Sequence, residues 1–238
     1  MLSYDSPISV NGPSPVSPTN MSPNRPVISS SKPVRHPKQA DIVKPTSTMA
    51  TNTRDQTKHH HIWLVTGPAG CGKSTVAKHI ADSLGMSYIE GDDFHPPANI
   101  EKMSNGIPLT DADRWDWLTR LRDEALTEIQ MGSSGVVVTC SALKRKYRDV
   151  IRVAPYFYPG AQLHFIYLHA PEEVLLQRVA ARKGHYMGAT MVRSQFQILE
   201  PPTKEEKDVI SVDVSRSMEE VMRDALDQAV RKLAEDAA

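Results

Sequence analysis

A glycine-rich loop between Gly67 and Ser74 constrains this chain more than any other feature of its sequence. The string GPAGCGKS fits the pattern G-x-x-x-x-G-K-[ST] at every position. Glycines let a backbone turn back so that successive N–H groups point at phosphate oxygens, and the closing lysine and hydroxyl reach the terminal phosphates and Mg²⁺. A β-branched run precedes the loop and an amphipathic helical pattern follows it. This context predicts a phosphate-binding loop rather than a structural glycine turn.

Five short apolar runs alternate with segments of helical periodicity. The runs cover residues 62–66, 86–90, 136–140, 163–168 and 208–212. Short apolar strands separated by helices are typical of a parallel sheet that is covered on both faces. An apolar stripe with helical spacing over residues 218–233 predicts a C-terminal helix. The sequence therefore predicts one α/β domain over residues 59–238, a three-layer sandwich with a central five-stranded parallel sheet.

Residues 1–58 differ from the rest in composition. They hold half of the chain's 18 prolines, interleaved with Ser, Thr and Asn. Such a segment buries too little apolar surface to offset its conformational entropy, so we expect a disordered N-terminal extension. The run KHHH at 58–61 resembles a metal-binding tract, but no further ligand lies near it in sequence. We interpret this run as the polar start of the first strand.

Charge and composition bound the class of partner. The 28 basic and 28 acidic residues balance, so no global field attracts nucleic acid or an anionic membrane. No apolar run approaches the roughly 20 residues of a membrane helix. The two cysteines lie far apart and form no ligand cluster, and the start MLSYDSPISV has no features of a secretory signal. These features favour a cytoplasmic protein with no nucleic-acid or membrane partner.

The search for a magnesium carboxylate leads to the second strand. No N-K-x-D guanine-binding motif is present, and the strand VVVTC is followed by Ser141 rather than by an acid. Asp92 and Asp93 follow the second strand, at the edge of a parallel sheet where ligands gather. Asp92 there could hold Mg²⁺ with Ser74 or accept the proton of an attacking hydroxyl. The alternative is that the two aspartates only cap the turn before the helix at Pro96-Pro97.

A lid is predicted at about residues 183–193. Pro171 opens a helix that carries Arg178 and Arg182 one turn apart, and KGHYMG follows it. Two arginines entering a glycine-bracketed loop suit a lid that closes over a triphosphate and neutralises its charge. The alternative is an ordinary basic helix end that complements the helix dipole.

Beyond these single motifs, four longer segments carry a family resemblance. They are GDDFHPPANIEKMSNGIPLTDADRWDWL, CSALKRKYRD, ARKGHYM and SQFQILEPP. From about residue 61 the chain resembles the gluconokinase family of thermoresistant type, small relatives of shikimate and adenylate kinases. The resemblance implies a P-loop kinase fold with a substrate-side helical segment and a lid. It also implies ATP-dependent phosphorylation of D-gluconate at the 6-hydroxyl, giving 6-phospho-D-gluconate and ADP, and it suggests a homodimer by analogy.

The resemblance and the motifs together assign the candidate site. The expected catalytic residues are Lys73, Asp92 and Arg182. The expected ATP-binding residues are Gly67, Pro68, Ala69, Gly70, Cys71, Gly72, Lys73, Ser74, Thr75, Arg178 and Arg182. The expected substrate-binding residues are Asp92, His95, Lys102, Arg114, Lys144, Arg148 and His185. The expected Mg²⁺ ligands are Ser74 and Asp92.

Some choices stay open from sequence. Any of the cations on the substrate side could meet the gluconate carboxylate, and His95 either donates to a substrate hydroxyl or caps the following helix. A related kinase acting on a shikimate-like or nucleotide acceptor is an alternative. A nucleotide-binding regulator without transfer activity is another, although intact Lys73, Ser74 and Asp92 argue against it.

Overall fold

The computed structural model describes residues 59–181 and 189–237. The strands are β1 (His60–Thr66), β2 (Ser87–Ile89), β3 (Gly135–Thr139), β4 (Ala161–His169) and β5 (Val209–Asp213). The helices of the described residues are α1 (Lys73–Leu84), α2 (Pro97–Ser104), α3 (Trp115–Gln130), α4 (Arg145–Arg152), α5 (Ala154–Phe157), α6 (Glu172–Ala181), α7 (Ala189–Ile198) and α8 (Met218–Asp236). A 3₁₀ helix covers Gly91–Phe94.

The five strands form one parallel sheet in the order β2-β3-β1-β4-β5. All five apolar runs of the sequence are strands, and the predicted three-layer α/β fold is confirmed. The predicted N-terminal extension lies outside the described residues. So do residues 182–188, which hold Arg182, His185 and the first part of the predicted lid, whereas residues 189–193 belong to α7.

Successive side chains of each strand pack into different layers. On one face Ile62 and Leu64 of β1 pack with α3 and α4, and on the other Trp63 and Val65 pack with α1 and α8. Because both faces are buried, the central residues of β1 and β3, 62–65 and 136–138, are all apolar rather than apolar at alternate positions. None of the helices in the described ranges is long and apolar enough to cross a membrane.

The loops that follow β1, β2 and β3 meet at the carboxyl edge of the sheet, where ligands bind in open α/β folds. The loop after β1 leads into α1, and the 3₁₀ helix follows β2. Gly91 fits only because it has no side chain, since a Cβ there would lie 1.9 Å from the carbonyl oxygen of Thr139. The glycine therefore allows the end of β2 to lie close to the end of β3.

The substrate-side segment, defined here as residues 95–114, is fixed by its own carboxylates. Asp113 accepts hydrogen bonds from Thr110 and from Lys102, whose Nζ lies 2.6 Å away. Asp111 accepts from Lys144 Nζ at 3.0 Å and from Lys146 and Tyr147. These hydrogen bonds hold the pKa values of both aspartates below their ordinary value, that of Asp113 at about 2. The hydrogen bonds of Asp111 thereby attach the substrate-side segment to the start of α4.

Candidate active site

The loop from Gly67 to Ser74 has the backbone that a phosphate cradle requires. Gly67, Gly70 and Gly72 all have positive φ, a conformation that glycine adopts without strain. A Cβ on Gly67 would lie 2.4 Å from the carbonyl oxygen of Leu168. The helix α1 begins directly at Lys73, so its N–H groups and its positive end face the loop. The geometry is that of a P-loop.

Lys73 and Cys71 have different surroundings in this loop. Lys73 Nζ donates to the carbonyl oxygens of Gly67 and Pro68, at 3.1 Å each, which holds the ammonium over the loop. The Cys71 side chain is fully buried, and burial raises the pKa of its thiol. Cys71 can therefore meet a nucleotide only through its backbone.

Gln195 braces the tip of the loop from α7. Its Oε1 accepts a hydrogen bond from the backbone N–H of Ala69 at 2.7 Å, and the side chain is buried. No sequence motif assigns a role to Gln195. A polar residue among the apolar positions of SQFQIL is the one signal that could have drawn attention to it.

A cleft of about 400 Å³ joins the P-loop to the substrate-side segment. Lys73 and Ser74 line it on the P-loop side, and Asp92, His95 and Arg114 line it on the other. Of the remaining expected nucleotide residues, Ala69, Gly70, Gly72 and Thr75 also line it. The volume lies within the range of small-molecule sites. The described structure therefore brings a phosphate cradle and a polar substrate side into one cavity.

Glu90, at the carboxyl end of β2, lines the cleft although no sequence motif indicates it. Its carboxylate accepts hydrogen bonds from Thr139 and Tyr88. Burial alone would raise its pKa, but these hydroxyls, that of Ser74 and the charge of Lys73 bring the pKa below its ordinary value. Glu90 is therefore an anion beside Ser74. No acid follows β3, and Glu90 instead places a carboxylate at the end of the neighbouring strand β2.

Asp92 is held at the edge of the cleft by the backbone around it. Trp117 Nε1 donates to the carbonyl oxygen of Gly91 at 2.7 Å, which fixes the residue before Asp92. The Asp92 side chain stays 53% exposed toward the cleft. Its partial removal from water, with Glu90 and Asp93 nearby, raises its pKa despite the opposing charge of Lys73. A carboxylate with a raised pKa is a better proton acceptor than an ordinary aspartate.

His95 is a neutral ring inside the cleft. It stacks on Trp117 with ring centroids 4.0 Å apart, and its Nε2 lies 3.8 Å from Asp92 Oδ1. Burial and the charge of Arg114 lower its pKa to about 4. Its Nδ1 is buried without a hydrogen-bond partner among the described residues. The ring lines the cleft, so a neutral imidazole forms part of the wall that faces a ligand.

Arg114 and Lys102, both expected on the substrate side, are placed differently. Arg114 lines the cleft, is 8% exposed, and uses its Nη1 for the carbonyl oxygens of Leu109 and Thr110. Among the described residues no hydrogen bond occupies its Nε or Nη2. Lys102 is paired with Asp113 and does not line the cleft.

Arg148 and Lys144, both expected to bind substrate, do not line the cleft. Arg148 is buried, its fork binds Glu206 through two hydrogen bonds of 2.7 Å, and its Nη1 donates to the carbonyl oxygens of Ala142 and Glu200 at 3.2 Å. Because these donors are bonded to acceptors within the protein, Arg148 supports the turn after β3 rather than facing a substrate. Lys144 pairs with Asp111.

Arg178, expected to bind ATP, does not line the cleft either, and it anchors α6. Its Nη2 donates to the carbonyl oxygens of Val214 and Arg216, at 2.6 and 3.2 Å. Both acceptors lie in the segment between β5 and α8. The positive charge of Arg178 also acts on Cys71 of the P-loop, where it slightly opposes the rise in the pKa of the thiol that burial causes.

Several known proteins are similar to this chain in sequence and in fold. A family model described as an AAA domain matches residues 62–202. A probable gluconokinase of Schizosaccharomyces pombe is 51% identical over 170 residues, covering 71% of this chain and 88% of the relative. The thermoresistant gluconokinase of Escherichia coli is 38% identical, covering 75% and 97%. A crystal structure of a gluconokinase from Sinorhizobium meliloti superposes with a TM-score of 0.64 at 43% identity, covering 74% and 94%.

The parallel sheet, the P-loop before α1 and the cleft that faces it define a P-loop kinase of the AAA-domain type. The identities and coverage then carry the assignment one level further. The chain belongs to the gluconokinase family.

Proposed function

We propose that this protein transfers the terminal phosphoryl group of ATP to the 6-hydroxyl of D-gluconate, giving 6-phospho-D-gluconate and ADP. The observation that carries the proposal is one cleft with two differently equipped walls. The P-loop wall offers backbone N–H groups, Lys73 and Ser74, which suit phosphates. The opposite wall offers a carboxylate, a neutral imidazole and a guanidinium, which suit a polyhydroxylated acid.

Transfer in this geometry is direct. The substrate's 6-oxygen forms a bond to the γ-phosphorus while the bond from that phosphorus to the β–γ bridging oxygen breaks, and ADP leaves. Asp92 accepts the hydroxyl proton, for which its raised pKa suits it. Lys73 and the N–H groups of the P-loop stabilise negative charge on the transferring oxygens. The expectation that Arg182 adds charge from a lid belongs to this proposal and lies outside the described residues.

The residues around Ser74 fit a magnesium ion. The Ser74 hydroxyl and the Glu90 and Asp92 carboxylates line the same cleft, and oxygen atoms are the donors that Mg²⁺ prefers. We infer that Ser74 holds the ion directly and Asp92 holds it through a bound water, with Glu90 beside them, so that the Asp92 carboxylate stays free to accept the proton. When bound, the ion neutralises charge on the phosphate oxygens.

Recognition of gluconate follows from the second wall. We infer that Arg114 pairs with the carboxylate, because it lines the cleft and its Nε and Nη2 have no hydrogen-bond partner among the described residues. Lys102, Lys144 and Arg148 are each paired with a protein carboxylate. His95, which also lines the cleft, meets a substrate hydroxyl. We also propose, from the sequence features, that the protein acts in the cytoplasm. By analogy with related kinases, we propose that it forms a homodimer.

An acceptor panel tests the function. ADP release is followed in a coupled assay with Mg²⁺-ATP and, in turn, D-gluconate, shikimate and nucleoside monophosphates. The proposal predicts turnover with gluconate at a kcat/KM at least about a hundredfold above any other acceptor. A preference for shikimate or a nucleotide would refute the substrate. If the protein binds ATP but none of the acceptors gives turnover, a nucleotide-binding regulator is favoured instead.

A further inference from the structure

Away from the cleft, a second polar cluster lies where β1, β4 and the end of α8 meet. His61 and His164 come from the two neighbouring strands, and Asp236 comes from the last turn of α8. Their side chains are 11, 6 and 13% exposed. The three residues are 72 or more positions apart in sequence, and none of them lines the cleft.

Three ligand atoms of this cluster converge on one point. His61 Nδ1 lies 3.2 Å from His164 Nε2, His164 Nε2 lies 3.0 Å from Asp236 Oδ2, and His61 Nδ1 lies 3.9 Å from the same oxygen. A tetrahedral zinc ion with bonds of about 2.0–2.1 Å separates its ligand atoms by about 3.3 Å. The three separations bracket that value.

Hydrogen bonding alone does not account for the arrangement. A neutral His164 has at most one proton on Nε2, which cannot serve both His61 and Asp236. Asp236 Oδ2 is buried and accepts no hydrogen bond of adequate geometry from any described residue, although two imidazole nitrogens lie near it. A buried carboxylate oxygen without a donor is costly unless something else binds it.

A neighbouring lysine holds the second oxygen of the Asp236 carboxylate. Lys232 Nζ lies 2.9 Å from the other oxygen, Asp236 Oδ1, which orients the carboxylate. Partners of this kind around the direct ligands fix their orientation in metal sites.

We propose that His61 Nδ1, His164 Nε2 and Asp236 Oδ2 form a binding site for a divalent transition metal of the Zn²⁺ type, with water as the fourth ligand. Two imidazole nitrogens and one carboxylate oxygen suit Zn²⁺, whereas Mg²⁺ prefers oxygen ligands throughout. The bound ion joins the C-terminal helix to the two central strands. The run at 58–61 thus supplies one ligand, and the others come from distant parts of the chain.

The test uses the full-length protein, stripped of metal with a chelator and free of nucleotide. Zn²⁺ is added while the Tm is recorded, and Co²⁺ is added separately while the visible spectrum is recorded. At free Zn²⁺ about a hundredfold above Kd, the site predicts a rise in Tm of roughly 5–10 °C. It also predicts the intense visible bands of tetrahedral Co²⁺ at one ion per chain.

Neighbouring acids give a matched pair of variants. Asp236→Asn removes a ligand and should weaken Zn²⁺ binding at least about tenfold, because even partners of the ligands contribute about that much. Glu235→Gln makes the same chemical change one residue earlier, on a side chain that is 70% exposed, and should bind like the parent. Absence of both signals in the parent protein, or equal signals in Asp236→Asn, overturns the proposal. Equal signals would place the metal elsewhere, including the kinase cleft.

Discussion

Asp92 and Asp93 are chemically identical neighbours in different places. Asp92 lines the cleft beside Lys73 and has a raised pKa, whereas Asp93 does not line the cleft. Their position in the sequence does not separate them, because both follow β2 and both precede the same turn, and the choice of Asp92 came from the family resemblance. The backbone separates them, since the carbonyl of Gly91 is bound by Trp117 and this aims the next side chain into the cleft.

At the scale of this residue, Asp92→Asn should lower kcat by about 10²–10⁴-fold, because the amide cannot accept the hydroxyl proton. Binding of ATP, followed by equilibrium titration, should change much less. The matched control is Asp93→Asn, which should keep kcat within a few-fold of the parent. Comparable losses in the two variants would remove Asp92 from the role of base.

Arg114 and Lys102 give a second comparison between single residues. Arg114→Lys keeps the charge but loses the fork, and we expect it to raise the KM for gluconate at least about tenfold with little change in the KM for ATP. Lys102→Ala removes a cation paired with Asp113 and should leave both KM values within about threefold. If Lys102→Ala has the larger effect on gluconate, the carboxylate lies at Lys102.

At the scale of elements, the sequence predicted what depends on local pattern. All five strands, the start of α1 at Lys73 and the helix after Pro96 follow from apolar runs, glycines and prolines that act within a few residues. It missed what depends on which strand ends meet. Glu90 and Gln195 enter the site through sheet order and through the packing of α7, and neither is encoded in a short motif.

Arg148 is the opposite case, a residue that the sequence placed in the site and the structure does not. Its place after β3 was compatible with substrate binding, but Glu206, 58 residues further along, takes its fork. Both side chains are 2% exposed, and Arg152 also binds Glu206 at 2.6 Å. The pair therefore connects α4 to the segment before β5.

This connection can be measured. Glu206→Gln leaves Arg148 buried without its counter-ion and should lower the free energy of unfolding by roughly 3–5 kcal/mol in urea at pH 7. Glu205→Gln, on a side chain that is 79% exposed, should change it by less than about 0.5 kcal/mol. Equal effects of the two variants would show that the buried pair contributes no special stability.

The pH dependence of the same pair has a defined sign. Arg148 holds the pKa of Glu206 at about 2, below the unfolded value of 4.5. The stability from Glu206 is therefore present above about pH 4.5 and is lost as the pH falls from there toward about 2. The difference between the parent and Glu206→Gln should shrink over that window, and a constant difference would contradict the assigned pKa.

At the scale of the whole molecule, the cleft predicts how activity responds to acid. Asp92 must be ionised to accept a proton and its pKa is raised, so kcat/KM should fall as the pH drops through that pKa, above the usual range of an aspartate near 4. Circular dichroism at each pH separates this loss from unfolding. A kcat/KM that stays flat down to about pH 4 would contradict the role of Asp92.

The central claim is that one cleft passes a phosphoryl group from ATP to the 6-oxygen of gluconate. The most direct measurement is ³¹P NMR of the products formed from Mg²⁺-ATP and D-gluconate. The account predicts equal amounts of ADP and a single phosphate monoester whose phosphorus couples to the two protons on carbon 6. An ester at another carbon, or inorganic phosphate as the only new signal beside ADP, would contradict it.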